Sequence, residues 1–264
     1  MLGDIPPTAF KTGMLTDTGV IRATVETLKN FYTTPLLVIP QSEIPGMGLP
    51  PLPPLVVDPV TVSTSGHTLL PSDAIEGLLK DLIPMATIVT PNVREARLLL
   101  SHLQGTGPEE QEIKSIADMV AAAIKLTRES GVSATLVKGG HLIFKTQDVE
   151  TGVEGVNIEW AQECDPEGVQ VLKVAREARE SSKLWRPADQ DLVVDVLYCA
   201  KKLGSQIGSH EKSSSCTLFV RPRIQSTSTH GTGCTLSAAI ACHLARRVSG
   251  MSGSNRPFEA SADF

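Results

Sequence analysis

One stretch of the chain, residues 228–245, constrains its fold more than any other. It reads STHGTGCTLSAAIACHLA, a small polar loop followed by a segment in which Leu236, Ile240 and Leu244 recur every four residues. Apolar residues at this spacing indicate the buried face of a helix. The first turn of a helix has unpaired N–H groups and the positive end of the dipole, which together bind anions. The stretch therefore predicts a glycine loop that opens a buried helix and holds an anion at its start.

Three residues of the loop set its chemistry. Gly231 and Gly233 let the backbone approach a ligand closely, and the field at a helix N-terminus favours the thiolate form of Cys234. A second interpretation fits the same short motif, namely a tight turn before a core helix that buries an unreactive cysteine. The rest of the chain has to decide between the two.

The composition argues against several classes of protein. The 264 residues are 41% hydrophobic, which suits one large α/β domain with a core of its own. A net charge of −5 and only 4% aromatic residues give no reason to expect nucleic acid or an anionic membrane as a partner. The five cysteines are odd in number and include no C-x-x-C pair, so we expect a reduced, cytoplasmic protein without a zinc knuckle. No apolar run is long enough to span a bilayer.

Predicted strands and helices alternate along the chain, and most of the strands are apolar throughout. This pattern is typical of a mostly parallel sheet that is covered on both faces. The predicted strands cover residues 8–14, 55–57, 87–89, 134–137, 192–198 and 216–220, the last two as a hairpin. The predicted helices cover residues 17–30, 71–82, 93–103, 109–130 and the segment after Cys234.

Three segments lie outside this pattern, and we expect a single domain around them. Residues 40–54 are rich in proline and are predicted to form a linker. Residues 144–190 are charged and without clear periodicity, so they are predicted to be a partly disordered insertion that activity does not need. Residues 249–264 are predicted to be a frayed tail.

Polar clusters follow the predicted strands, where an α/β sheet binds its ligands. They contain Met14, Asp58, the pair Asn92 and Glu95, Lys138, and finally residues 229–234. Because the carboxyl ends of parallel strands share one edge, the sequence predicts that these clusters form one site.

Six motifs in this order resemble the hydroxymethylpyrimidine phosphate kinases, the thiamine-pathway branch of the ribokinase superfamily. They are KTGML (11–15), VDPVTVSTSGH (57–67), TPNVREA (90–96), VKGGH (137–141), DVLY (195–198) and THGTGC (229–234). Most ribokinase relatives have aspartate at the last loop position, and the cysteine is typical of the pyrimidine kinases. The resemblance implies a ribokinase-like three-layer αβα sandwich that uses ATP and Mg²⁺ to phosphorylate 4-amino-5-hydroxymethyl-2-methylpyrimidine and its monophosphate.

The resemblance also implies roles for the residues of the transfer site. The N–H groups of Gly231, Thr232 and Gly233 would stabilise the transferring phosphoryl group. Cys234 would deprotonate or orient the acceptor oxygen. Lys138 would meet the ATP phosphates as a point charge.

The remaining site residues have ordinary structural alternatives. Asn92 and Asp58 are implied to belong to the ATP and phosphate site, and Glu95 to hold Mg²⁺ through water. Taken alone, each of these three could be a capping residue. Met14 and Val60 are implied to wall the pyrimidine, although both would also serve as core residues.

The chain departs from the family pattern at both ends. Family members begin with a strand and a substrate loop of the form GSDSxGGAG, which nothing here matches, and the resemblance stops near Arg247. We therefore expect a partial domain that lacks the first strands, with lost or impaired turnover and at most weak nucleotide binding. The alternatives are a pyridoxal or pyridoxamine kinase of the same fold and a non-catalytic nucleotide-binding remnant. Small molecules are the expected partners, and a homodimer is the candidate assembly.

Overall fold

The centre of the molecule is a seven-stranded mixed sheet. The computed structural model describes residues 7–32, 52–62, 68–151, 157–160, 191–200, 215–224 and 231–250. The strands are β1 (Phe10–Thr12), β2 (Leu55–Val57), β3 (Ile88–Val89), β4 (Ala134–Val137), β5 (Asn157–Trp160), β6 (Leu192–Cys199) and β7 (Ser215–Pro222). Their order across the sheet is β1-β2-β3-β4-β6-β7-β5. The predicted strand over residues 8–14 is therefore only three residues long.

The sheet is mostly parallel, as expected. Strands β1 to β4 pair in parallel, with Thr12 opposite Val57 and Val57 opposite Val89. The pairs β4–β6 and β6–β7 are antiparallel, which confirms the predicted hairpin, and β5 pairs with β7 in parallel. The carboxyl ends of β1 to β4 consequently lie at one edge of the sheet, which we call the rim.

The helices begin and end at recognisable capping signals. They are α1 (Thr18–Phe31), α2 (Ser72–Gly77), α3 (Val93–Gln104), α4 (Ile116–Ser130), α5 (Thr146–Thr151) and α6 (Thr232–Gly250). The Asp17 side chain accepts a hydrogen bond from the N–H of Val20 at 3.0 Å, so the predicted cap of α1 is confirmed. Gly105 and Gly131 end α3 and α4 in the left-handed conformation, which a glycine adopts at little cost.

Two cores lie on opposite faces of the sheet because successive strand residues point in opposite directions. In β2, Leu55 and Val57 pack into the larger core, which α1 to α4 cover. Val56 between them faces the smaller core, which Ile240 and Leu244 of α6 cover. Helices on both faces confirm the expected αβα sandwich. None of the helices in the described part of the chain is long and apolar enough to cross a membrane.

Two of the predicted helices have different limits in the structure. The helix predicted over residues 109–130 begins only at Ile116, because Ser115 and Asp118 form a capping box there. A separate 3₁₀ turn, Pro108–Glu110, precedes it. The helix predicted over residues 71–82 stays α-helical only to Gly77 and continues as a π turn and a 3₁₀ turn, in which Pro84 has no N–H to donate.

The predicted insertion over residues 144–190 is wrong at its start. Phe144 is buried in the larger core, and its N–H and carbonyl groups bond the backbone of Leu192. Helix α5 follows, and β5 joins the sheet through β7. Local periodicity missed these elements because their support comes from distant strands. Residues 152–156 and 161–190 lie outside the described residues.

The other two irregular segments are described only at their edges. Of the predicted linker, residues 40–51 lie outside the described residues, whereas Leu52 is buried and the carbonyl of Pro54 accepts the N–H of Phe10 at 2.8 Å. Of the predicted tail, residues 249 and 250 continue α6, and residues 251–264 lie outside the described residues.

Candidate functional site

Backbone hydrogen bonds bring the polar strand exits together at the rim. The N–H of Asp58 donates to the carbonyl of Thr12 at 3.1 Å, which aligns the exits of β1 and β2. The N–H of Lys138 donates to the carbonyl of Pro91 at 2.8 Å, and a parallel bridge joins Asn92 to Lys138. The structure thus places Asp58, Asn92 and Lys138 side by side, as the strand order predicts.

Lys138 and Asp58 form a buried ion pair at the centre of the rim. The Nζ atom of Lys138 lies 3.1 Å from Oδ1 of Asp58, whose side chain is only 2% exposed. The hydroxyl of Thr90 donates to the same oxygen at 3.3 Å, and the hydroxyl of Ser237 donates to Oδ2 at 3.1 Å. A buried carboxylate needs such partners because its desolvation is costly. Asp58 is therefore held at once by the residues that follow β3 and β4 and by α6.

Asn92 and Glu95 form a reciprocal capping box at the start of α3. The N–H of Asn92 donates to Oε2 of Glu95 at 2.7 Å, and the N–H of Glu95 donates to Oδ1 of Asn92 at 2.9 Å. Glu95 is 3% exposed. Burial raises the pKa of Glu95 to about 7, against the opposing effects of the Asn92 N–H and the Lys138 charge. Both residues are therefore capping residues of α3. Glu95 is at the same time a buried acid near the Lys138–Asp58 pair.

The glycine loop before α6 opens next to Lys138. Gly231 has φ +80°, which favours glycine, and its carbonyl accepts the N–H of Thr235 at 2.9 Å. A Cβ atom on Gly233 would lie 2.9 Å from Nζ of Lys138. The ammonium group therefore sits against the first turn of the helix, where N–H groups face outward. Cys234 is exposed in this turn, and residues 225–230 lie outside the described residues.

The loop after Lys138 is anchored to β6. The N–H of Gly139 donates to Oδ1 of Asp195 at 2.9 Å, and Asp195 is also paired with Arg221. A Cβ atom on Gly139 would lie 2.0 Å from the carbonyl oxygen of Val194, so only glycine fits there. These contacts hold the end of β4, and with it Lys138, against the antiparallel part of the sheet.

The two residues expected to wall the pyrimidine lie at the same edge. Met14 follows β1 and is 53% exposed, whereas Val60 follows β2 and is partly buried. Because β1 and β2 pair in parallel, both residues lie on the rim. Residues 63–67, which complete the SGH part of the motif, lie outside the described residues.

The donor groups at the rim fit a magnesium ion that is carried mainly by substrate phosphates. Among the described residues, no three His, Cys, Asp or Glu side chains cluster as an ion-binding set. Mg²⁺ needs only one or two carboxylates when phosphates and waters supply its other ligands. Glu95 is a buried carboxylate that accepts backbone hydrogen bonds from Asn92, on Oε2, and from Thr61, whereas Asp58 is already paired with a cation, Lys138. Glu95 is thus the side chain that fits this role.

Four polar residues of the site were not predicted from the sequence. Ser237, Thr90, Asp195 and Arg221 each bond a residue that lies more than 25 positions away in the chain. Ser237 stands in the quoted stretch 228–245, Thr90 in the TPNVREA motif and Asp195 at the start of the DVLY motif, whereas Arg221 stands in none of them. For the first three residues, their place in a motif could have suggested a role in the site. The partners of all four residues follow only from the fold.

Comparison with known proteins assigns the chain to a group of kinases. The profile of the phosphomethylpyrimidine kinase family matches residues 47–163 and 194–252. The chloroplastic thiamine biosynthetic bifunctional enzyme TH1 of Arabidopsis thaliana is 30% identical over 96% of this chain and 32% of its own length. The hydroxymethylpyrimidine/phosphomethylpyrimidine kinase of Mycobacterium leprae is 30% identical over 92% of this chain and 57% of its own length. The chain thus spans less than two thirds of the length of either relative.

Solved structures confirm the fold. The pyridoxal kinase of Bacillus subtilis in its ADP complex superposes with a TM-score of 0.51 at 24% identity, over 90% of this chain and 57% of that one. The pyridoxal kinase of Staphylococcus aureus with ADP has a TM-score of 0.50 at 23% identity, over 91% of this chain and 56% of that one. These superpositions show the fold that the chain shares with the two kinases. At identities below 25%, they carry no argument about the substrate.

Proposed function

The chain belongs to the phosphomethylpyrimidine kinase family, and from this premise we propose that its rim binds ATP for the phosphorylation of 4-amino-5-hydroxymethyl-2-methylpyrimidine and of its monophosphate. The observation that carries the proposal is the position of Lys138. Its ammonium group is fixed by a buried carboxylate against the glycine loop that opens α6. A cation and a helix N-terminus side by side form a binding site for phosphate oxygens.

The proposed reaction requires little covalent participation from the protein. The oxygen of the acceptor attacks the γ-phosphorus of ATP, the bond from that phosphorus to the ADP oxygen breaks, and the acceptor proton passes to the sulfur of Cys234. The N–H groups of residues 231–233 and the charge of Lys138 stabilise the negative charge that spreads over the phosphoryl oxygens. Cys234 fits its role because it is exposed in the first turn of α6.

Glu95 would hold the magnesium ion of the nucleotide, through water, by the carboxylate at the start of α3. The ion would neutralise charge on the ATP phosphates. Asn92 keeps the carboxylate in place through the capping box. Asp58 acts in this proposal as the counter-ion of Lys138, because an anion already bonded on both oxygens is poorly suited to contact phosphate.

The acceptor side of the proposal rests on the strand exits of β1 and β2. Met14 and Val60 would contact the pyrimidine ring, since both lie at the rim. A cytoplasmic location is proposed as well, supported by the free thiols of Cys199, Cys216, Cys234 and Cys242. The assembly of the chain, with a homodimer as the candidate, is part of the same proposal.

The test measures ATP binding and product formation separately. ATP with Mg²⁺ is titrated into the chain, and ADP release is then followed with the hydroxymethylpyrimidine as acceptor and pyridoxal as the competing acceptor. We expect weak ATP binding that Lys138→Ala reduces at least tenfold further, and slow ADP release that depends on the pyrimidine. Lys125→Ala is the control, because it removes a lysine of α4 and should leave ATP binding unchanged.

Three results would contradict parts of the proposal. Binding that does not depend on Lys138 would remove the proposed phosphate site. Preference for pyridoxal would replace the proposed substrate. Lys138-dependent ATP binding without any ADP release would identify a non-catalytic nucleotide-binding protein.

A further inference from the structure

We propose that Ser237 is a positioning residue that couples the phosphate-binding first turn of α6 to Lys138 through the carboxylate of Asp58. The inference rests on the proposed function, because it concerns the same phosphate site. Ser237 does not lie at the surface of that site, since its exposed fraction is 0%. It acts through the two groups that its hydroxyl contacts.

The hydroxyl of Ser237 lies between the anion loop and the ion pair. It is 3.0 Å from the carbonyl oxygen of Cys234, one turn earlier in the same helix, and 3.1 Å from Oδ2 of Asp58 at the end of β2. Its one proton is therefore shared between the backbone of the first turn and the carboxylate. A hydrogen bond to a charged group is stronger than one between neutral groups.

The carboxylate transmits this constraint to Lys138. Oδ2 of Asp58 accepts from Ser237, whereas Oδ1 accepts from Lys138 and from Thr90. Donors on both oxygens fix the rotation of the carboxyl plane, and this rotation sets the position of Oδ1. Loss of the donor on Oδ2 leaves the plane free to turn, so the ammonium group loses its place beside Gly233.

The other buried helix serines among the described residues, Ser101 and Ser130, lack such a connection. Ser130 donates to the carbonyl of Leu126 at 2.6 Å, and Ser101 donates to the carbonyl of Leu98 at 2.7 Å, each within its own helix. Ser237 makes the same kind of local bond and adds one to a residue 179 positions away. Ser130→Ala is therefore the matched control, since it removes a buried helix hydroxyl without touching the rim.

The first experiment tests the coupling itself and needs no nucleotide. Thermal unfolding is measured for the full chain and for Ser237→Ala, Asp58→Ala and the double variant. We expect Ser237→Ala to lower the Tm by several degrees in the unaltered chain and by less than one degree in the Asp58→Ala chain. The stability effects of substitutions at two residues in contact do not add, because each substitution removes the same interaction. Equal losses in both backgrounds would overturn the coupling.

The second experiment tests the effect on the phosphate site. ATP affinity in the presence of Mg²⁺ is measured for Ser237→Ala alone and combined with Lys138→Ala. We expect about a tenfold loss in the unaltered chain, equal to about 1.4 kcal/mol, and less than a twofold loss when Lys138 is absent. Ser237→Thr, which keeps the hydroxyl, should restore the affinity, and Ser130→Ala should leave it unchanged.

The outcomes separate this inference from the proposed function. Equal weakening of ATP binding in both backgrounds, or no weakening at all, contradicts the positioning role even if the chain is a kinase. If the unaltered chain binds no ATP, the proposed function and the positioning role both fail, while the unfolding cycle still decides whether Ser237 and Asp58 are coupled. If Asp58→Ala does not fold, the ATP cycle with Lys138→Ala decides alone.

Discussion

Burial raises the pKa of Glu95, and this shift makes the stability of the folded chain depend on pH. The pKa of Glu95 is raised from its usual 4.5 to about 7, chiefly by desolvation, with the charge of Asp58 as a smaller cause in the same direction. The unfolded chain releases this proton near pH 4.5, whereas the folded chain keeps it until about pH 7. The folded state binds more protons in this interval, so stability falls as the pH rises through it.

Glu95→Gln should abolish this loss because the amide keeps the capping acceptor and carries no charge. With EDTA present, we expect the free energy of unfolding of the unaltered chain, relative to Glu95→Gln, to fall by on the order of 3 kcal/mol between pH 5 and pH 8. Urea unfolding at both pH values measures it. Asp118→Asn is the control from another capping box. The pKa of Asp118 is lowered, chiefly by the Lys114 N–H, so its contribution to stability is lost only as the pH falls. A pH-independent difference for Glu95→Gln would refute a buried, proton-binding Glu95.

Cys234 and Cys242 are both exposed residues of α6, but only Cys234 lies in the first turn. If Cys234 accepts or orients the acceptor proton, Cys234→Ser should lower kcat by about 100-fold, because a serine hydroxyl ionises far less readily than a thiol near neutral pH, and should leave the Kd for ATP within twofold. Steady-state kinetics and ATP titration separate the two effects. Cys242→Ser should behave like the unaltered chain. An unchanged kcat in Cys234→Ser would leave the loop with anion binding alone.

At the scale of elements, the two glycines after β4 differ in the space around them: Gly139 is tightly packed, whereas Gly140 is not. A Cβ on Gly139 would meet the carbonyl oxygen of Val194 at 2.0 Å, whereas a Cβ on Gly140 would meet nothing within 4 Å. Gly139→Ala must therefore separate β4 from β6 or move the loop that carries Lys138.

We expect Gly139→Ala to destabilise the chain by about 1–3 kcal/mol, as overpacking does, and to weaken ATP binding. Gly140→Ala should be neutral within about 0.5 kcal/mol. Urea unfolding of both variants is the measurement. Equal stabilities would mean that the loop does not pack against β6 as described.

At the scale of the whole molecule, the end of β5 and the start of β6 lie close together in the sheet. Trp160 at the end of β5 and Val194 near the start of β6 both pair with Val220 of β7. Two strand spacings separate them, roughly 10 Å. The family profile also does not match residues 164–193.

We expect a Gly-Ser linker of about six residues in place of residues 164–188 to leave the Tm within two degrees, because such a linker spans the two strand ends. Phe144→Ala, at the start of the region predicted to be an insertion, should instead cost about 3–5 kcal/mol, since Phe144 is 5% exposed in the larger core. Calorimetry on both chains decides. A large loss in the linker variant would give the replaced residues a structural role.

The sequence by itself determined the features that depend on neighbouring residues. Apolar runs predicted β2 and β4, caps and periodicity predicted α1 and α3, and polar strand exits predicted one rim. Local signals suffice here because side-chain direction repeats every two residues in a strand and every 3.6 in a helix. The helix predicted over residues 109–130 begins only at Ile116, because Ser115 and Asp118 form a capping box there that apolar periodicity does not mark.

Only the tertiary structure decided which groups meet. Phe144 and β5 are ordered by strands far away in the chain, so no local period marks them. Asp58 is joined to Lys138 across 80 positions and to Ser237 across 179. A sequence states which residues can ionise or donate, but the partner of a buried carboxylate depends on the packing of strands and helices, which brings distant residues within hydrogen-bonding distance of one another.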